Sequence, residues 1–175
     1  MLKNVPISLP MALLALLAVT GTAPAISTAM AEDSPFSISG EIKVTKVVDG
    51  DSLRSGPLKI RLHGIDAPER KQTCRTAGGA EWPCGTAATD TMKTIIGTTP
   101  QLACTLIDVD RYGRLVMRCR ADGADIAETL VAEGLALAYR RFSEDYVAAE
   151  RAAERAKRGM WQGRFETPWD WRRQN

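Results

Sequence analysis

Apolar and polar positions alternate in short runs over residues 39–64, in "EIKVTKVV", "DSLRS" and "LKIRLHG". A period of two predicts β-strands. Asp49-Gly50 and Ser55-Gly56-Pro57 separate the runs with turn chemistry. The period then changes. Over residues 86–96, Ala88, Met92 and Ile95/Ile96 fall on one helical face and Gly97 follows, which predicts a first helix. Residues 101–120 return to two apolar runs around a turn, an antiparallel hairpin. Asp125 as N-cap, Glu128 as its capping-box partner and Gly134 as terminator predict a second helix. The third is "SEDYVAAERAAERAKRG", with Ser143 as cap, acids in its first turn, Lys157-Arg158 in its last and Gly159 at C′. Its alanine-rich face suits close packing on a sheet. Five short strands, mostly in consecutive hairpins, with three helices predict an α+β fold that is mainly β, a small barrel with helices against it. There is no internal repeat and no low-complexity linker.

Upstream the pattern is of another kind. Lys3 precedes the apolar run "MALLALLAVTG" and the small-residue stretch "TAPAISTAMA". That is the layout of a signal peptide, with an A-x-A cleavage site at Ala29-Met30-Ala31. The run is short, and Pro24 follows too closely for a comfortable bilayer span; an uncleaved anchor is the rival reading. No cysteine follows the run, which disfavours a lipoprotein. The expectation is export, to the periplasm or beyond, with no membrane attachment after cleavage and a monomeric state. Removing residues 1–31 of the 175 leaves 144, one domain's worth. Within it, 32–40 reads as a short extension, 41–161 as the folded domain and 162–175 as a tail docking on it. Only Lys3 is lost with the leader, so 22 basic residues face 21 acidic ones. Net charge therefore neither favours nor excludes a polyanionic partner.

Four cysteines in an exported chain predict two disulfides. If Asp110 and Gly113 bracket the hairpin turn, opposing residue numbers sum to 223, and so do Cys104 and Cys119. They should face each other, and a bulge at Gly113 would still leave them close. Cys74 and Cys84 then pair by elimination. A zinc site is the rival, but these spacings are not paired C-x-x-C motifs and His63 is the sole histidine.

Three clusters carry candidate chemistry. "VVDGDSL" holds Asp49 and Asp51, "RLHGIDAPE" holds Arg61, Asp66 and Glu69, and "DRYGR" holds Arg111, Tyr112 and Arg114. Each alone is explained by turn chemistry. Together, in this order and followed by "GLALAY" and "AERAAERAKRGMW", they resemble the thermonuclease family, over residues 41–161. The resemblance implies a five-stranded OB-type barrel with three helices. It also implies a calcium-dependent phosphodiesterase that cuts DNA and RNA.

The residue types suit that chemistry. Asp51 and Asp66 are hard oxygen donors for Ca²⁺, and the resemblance adds the Ala67 carbonyl, where the family's founder has threonine. Glu69 is implied as general base for the attacking water, or as the group that orients it. Arg61 and Arg114 offer permanently charged, planar forks for phosphoryl oxygens. Pro68 fixes the backbone just before Glu69. The resemblance also places Arg111 and Tyr112 on a terminal phosphate and Tyr139 near a base or sugar. Asp49 is either a supporting carboxylate or a turn residue, and His63 reads as an exposed strand residue. Trp82, Trp161, Trp169 and Trp171 either stack on bases or cover the core, the latter being preferred for Trp161. Two other classes compete: a silent OB module that binds single-stranded nucleic acid, and a calcium-stabilised binding protein. The first would not need the acidic cluster, and the second would not need two arginines converging on carboxylates.

Overall fold

The computed structural model describes residues 38–175, so the leader and its cleavage site lie outside the described residues. Among the described residues there are eleven strands. They are β1 (Ser39–Lys43), β2 (Lys46–Val47), β3 (Ser52–Ser55), β4 (Leu58–Leu62), β5 (Ile65–Asp66), β6 (Cys74–Arg75), β7 (Glu81–Trp82), β8 (Gln101–Val109), β9 (Leu115–Ala121), β10 (Ala124–Asp125) and β11 (Leu137–Ala138). The helices are α1 (Cys84–Thr98), α2 (Ile126–Ala132), α3 (Val147–Arg155) and α4 (Pro168–Gln174), with a 3₁₀ turn at Gly159–Gln162. The main sheet runs β1-β8-β9-β4-β3-β2, with β10 on β9. Its two end strands are joined by only Val44 and Thr45, so the sheet must curl back towards itself. The result is a mainly β, α+β, OB-like half-barrel.

Alternation decides which face is inside. Leu53, Ile60, Leu62, Leu102, Met117 and Cys119 are buried, and Ala88 and Met92 of α1 and Leu130 and Val131 of α2 close over them. Asp125 caps α2 as expected: its Oδ1 accepts from the N–H groups of Ala127 and Glu128. A smaller apolar cluster of Cys74, Cys84, Leu137 and Met160 lies apart, with Trp82, Trp161, Phe165 and Trp169 against it. Trp161 covers core, as preferred.

Cys104 and Cys119 are directly opposed and bonded, and Cys74 bonds Cys84. The 223 sum holds on the cysteine side only. Between Leu106 and Asp108 the register slips by one, so the bulge falls at Ile107 and not at Gly113.

Four expectations shift. The first helix is longer, starting at Cys84, so Gly97 lies in its last turn. The third starts at Val147, not after Ser143, because residues 143–146 form turns that bury the Tyr146 ring and let its hydroxyl donate to Asp125 Oδ2 at 3.1 Å. Lys157, at φ 52°, takes the left-handed position after that helix in place of Gly159. The tail forms a fourth helix, α4. Thr167 precedes Pro168 at N1, and Asp170 stands in the first turn. Among the described residues, no helix is long and apolar enough to cross a membrane.

Candidate active site

The site grows from the ends of β3, β4 and β5. Gly50 lets the Asp49–Asp51 turn press onto its neighbours: a Cβ there would meet the Ala67 and Ala88 side chains at 2.8 and 2.9 Å. Asp49 Oδ1 accepts from the Asp51 N–H, so Asp49 shapes the turn. Asp51 is 5% exposed; its Oδ2 accepts from the Ala67 N–H at 2.7 Å and pairs with Arg61 Nη1 at 2.7 Å, and its Oδ1 accepts from the Ser52 hydroxyl.

Arg61 stands between both aspartates. Its Nη2 donates to Asp66 Oδ1 at 2.8 Å and to the Ile65 carbonyl at 2.9 Å. Asp66 is fully buried. Strand β5 pairs with β11, and the Tyr139 N–H donates to the Gly64 carbonyl, which brings Tyr139 beside this strand. Glu69 follows on a tight loop. Its N–H donates to the Oε1 of the buried Gln72, and its carbonyl accepts from the Gln72 N–H. That loop lies hard against the start of α1, since a Cβ on Gly85 would meet the Glu69 carbonyl oxygen at 1.8 Å.

Too many negative charges meet here for comfort. Burial and the Asp51 charge push the Asp49 carboxyl up to about 7. Burial also raises Asp66, while the hydrogen bond from Arg172 and the charges of Arg61 and Arg172 pull against it. Among the described residues, no group of three or more Asp, Glu, His or Cys side chains is arranged to hold an ion. Two buried carboxylates that offer only oxygen donors nonetheless fit a hard divalent cation, which completes its shell with backbone carbonyls and water. Soft or tetrahedral N/S ligation does not fit them.

The hairpin tip is built differently. The Asp110 N–H donates to the Arg114 carbonyl, and Asp110 Oδ1 accepts from the N–H groups of Tyr112 and Arg114. Arg114 Nε donates to Asp110 Oδ2 at 2.7 Å. Arg111 lies over the exposed Tyr112 ring and donates to its hydroxyl. These contacts are all local, and none joins Arg111, Tyr112 or Arg114 to Asp51, Asp66 or Glu69. His63 is half-buried in the turn after β4 and is not the exposed strand residue expected.

One site residue escapes sequence reasoning altogether. Arg172, on α4, donates from Nη2 to Asp66 Oδ2 at 2.6 Å, and from Nη1 to Asp66 Oδ1 at 3.1 Å and Glu69 Oε1 at 2.9 Å. Burial opposes its charge, yet the two carboxylates hold its pKa above the usual guanidinium range. On the same helix, the Trp169 ring stacks on Tyr139, centroids 5.4 Å apart and planes 5° apart. The signal available was "TPWD", a helix start, which would have placed Trp169 and Arg172 about one turn apart on one face.

Residues 59–163 match the family described as "Staphylococcal nuclease homologue". The chain is 30% identical over 122 residues to "Succinoglycan biosynthesis protein ExoI" of Rhizobium meliloti, covering 69% of this chain and 64% of that one. It is 33% identical over 139 residues to an "Uncharacterized endonuclease" of Escherichia coli, covering 74% and 83%. With "Probable staphylococcal-like nuclease CAN3" of Oryza sativa subsp. japonica it shares 30% over 126 residues, 70% of this chain but 30% of that longer one. The match runs through nearly all of β4, the Arg61–Asp66–Glu69 segment, the hairpin and all of α1–α3, and the chain belongs to the staphylococcal nuclease homologue family.

Proposed function

We propose that this protein is an exported, calcium-dependent nuclease that hydrolyses phosphodiester bonds of DNA and RNA. One observation carries the reading: Arg61 binds two buried aspartates at once, with Glu69 on the adjoining loop. A purely structural turn gains nothing from concentrating unlike charges in this way, because burying them is costly. Asp51, Asp66 and the Ala67 carbonyl would hold the ion, which supplies Lewis-acid stabilisation of phosphoryl charge. Glu69 takes a proton from water as the water oxygen bonds to phosphorus; the opposite P–O bond breaks and its electron pair leaves with the departing oxygen. Arg61 and Arg114 neutralise charge growing on the phosphoryl oxygens. Arg111 and Tyr112 hold a neighbouring phosphate, and Tyr139 a base or sugar.

The sheet itself favours a long polyanion. Lys46 pairs directly with Arg54, and Arg54 with Lys59, on the face that also carries Arg61. Like charges directly opposed are destabilising, and none of the three forms an ion pair with a described residue. The pairing of Arg61 with Val116 brings Arg114, two residues upstream, into line with Lys59. A row of cations thus leads across the sheet to the site, as a phosphate backbone requires. Two disulfides agree with an oxidising compartment.

Cleavage of DNA and RNA by the parent and Glu69→Gln, each with and without chelator, tests the reading. Chelator-sensitive cleavage that the variant lacks is expected. Retention of nucleic acid without cleavage would favour the silent OB module instead.

A further inference from the structure

We infer that α4 carries a built-in plug, the Arg172 side chain: Arg172 and the divalent cation compete for Asp66, and the site opens when the arginine leaves. This rests on the proposed function, in which Asp66 holds the ion and Glu69 handles the proton.

The contact geometry leaves little room for both. Each Asp66 oxygen accepts from Arg172, and Oδ1 accepts from Arg61 as well. The same guanidinium also occupies Glu69 Oε1. A hard cation needs those oxygens at direct coordination distance and would there meet the positive charge of the seated guanidinium. The Glu69 oxygen that accepts from Arg172 is likewise not open to a water while the guanidinium sits on it. With Arg172 seated, the site is closed to the proposed chemistry.

The plug is hinged at one side chain. α4 has its own seat, independent of Arg172. Trp169 packs against the cluster of Cys74, Cys84, Leu137 and Met160 and stacks on Tyr139. The buried Gln72 donates to the Glu166 carbonyl, and Arg75 and Arg164 exchange backbone hydrogen bonds just upstream. Arg172 itself is 38% exposed, on the last turn of the helix. Its long side chain can swing to water while the helix stays docked. Gln72 ties the two ends together, since its Oε1 accepts from the Glu69 N–H and its Nε2 donates to the tail. The tail is thus registered on the catalytic loop and not merely near it.

The test titrates CaCl₂ calorimetrically into the full chain, without nucleic acid. Arg172→Gln, and separately a chain lacking residues 172–175, should bind Ca²⁺ about tenfold more tightly or better, in the usual range for coupled sites. In the parent, the Arg172 Nε–H resonance should shift towards its solvent-exposed position as Ca²⁺ is added. Equal or weaker Ca²⁺ binding by both altered chains, with the parent still cleaving in calcium, overturns the plug and leaves the nuclease reading intact. Absence of Ca²⁺ binding in all three chains overturns both.

Discussion

The Arg61 cluster and the 110–114 turn each set an arginine on a carboxylate, yet they are built on opposite principles. Arg61 is tied across three strand ends, to Asp51, Ile65 and Asp66, and its side chain is only 12% exposed. Arg114 is bonded to a residue four positions away at the tip of a hairpin, with Tyr112 open beside it. The first arrangement is rigid because it is over-determined and dry. The second is pre-shaped by local hydrogen bonds yet free to turn towards an incoming phosphate. Under the proposed function the first would hold the ion and the second would close on the phosphoryl group, since only contacts made more strongly in the transition state accelerate a reaction.

Removing each arginine should break this comparison open. Arg61→Ala leaves buried carboxylates short of a partner and should cost about 3–5 kcal/mol of stability, read by urea denaturation, as well as abolishing turnover. Arg114→Ala loses a partly exposed pair and should cost under about 1 kcal/mol. If the two destabilise equally, the contrast between buried frame and local turn is wrong.

Arg114→Lys isolates the arm. It keeps the charge and loses the planar fork, so kcat should fall on the order of a hundredfold while substrate Kd changes less. A variant that cleaves at the parent rate would remove Arg114 from the chemistry.

The disulfides sharpen the same divide. Replacing either pair with serines should cost about 2–4 kcal/mol on the chain-entropy view. Loss of Cys74–Cys84 should also loosen the seat of Trp169, visible as faster amide exchange over α4; loss of Cys104–Cys119 should leave α4 protected.

The cationic row predicts a gentler effect. Neutralising Lys46, Arg54 and Lys59 to glutamine should lower the salt dependence of duplex binding. The log–log slope should fall by about 0.9 for each phosphate that the row no longer neutralises. Cleavage of a minimal diester, too short to reach the row, should be unchanged.

His63 gives the smallest expected change. Burial and the Arg118 charge lower its pKa, so the unfolded chain binds the proton more readily than the fold does. Stability contributed by neutral His63 is therefore full above about pH 6.5 and is lost as pH falls through its lowered value. His63→Gln should flatten the decline of the melting temperature on the acid side of neutrality.

Local chemistry was enough to find most of these parts. Period-two alternation set the strands around residues 39–64, a shared sum of 223 paired Cys104 with Cys119, and Asp125 capped its helix as its type and position require. The motif residues Asp51, Arg61, Asp66 and Glu69 were legible because they lie within nineteen positions and on adjoining strand ends. At two places where expectation and structure part, a distant partner intervenes. α3 starts late because the Tyr146 ring is drawn into the core by Asp125, twenty-one residues upstream. Arg172 lies 106 residues from Asp66, and no pattern of periodicity or spacing reaches that far. Only the folded sheet, the apolar seat under Trp169 and the backbone ties from Gln72 decide that a tail arginine ends on the acids of the site. Short-range sterics and hydrogen bonding are written in neighbouring residues; the choice of partner for a buried charge is made by whatever the whole fold delivers to it.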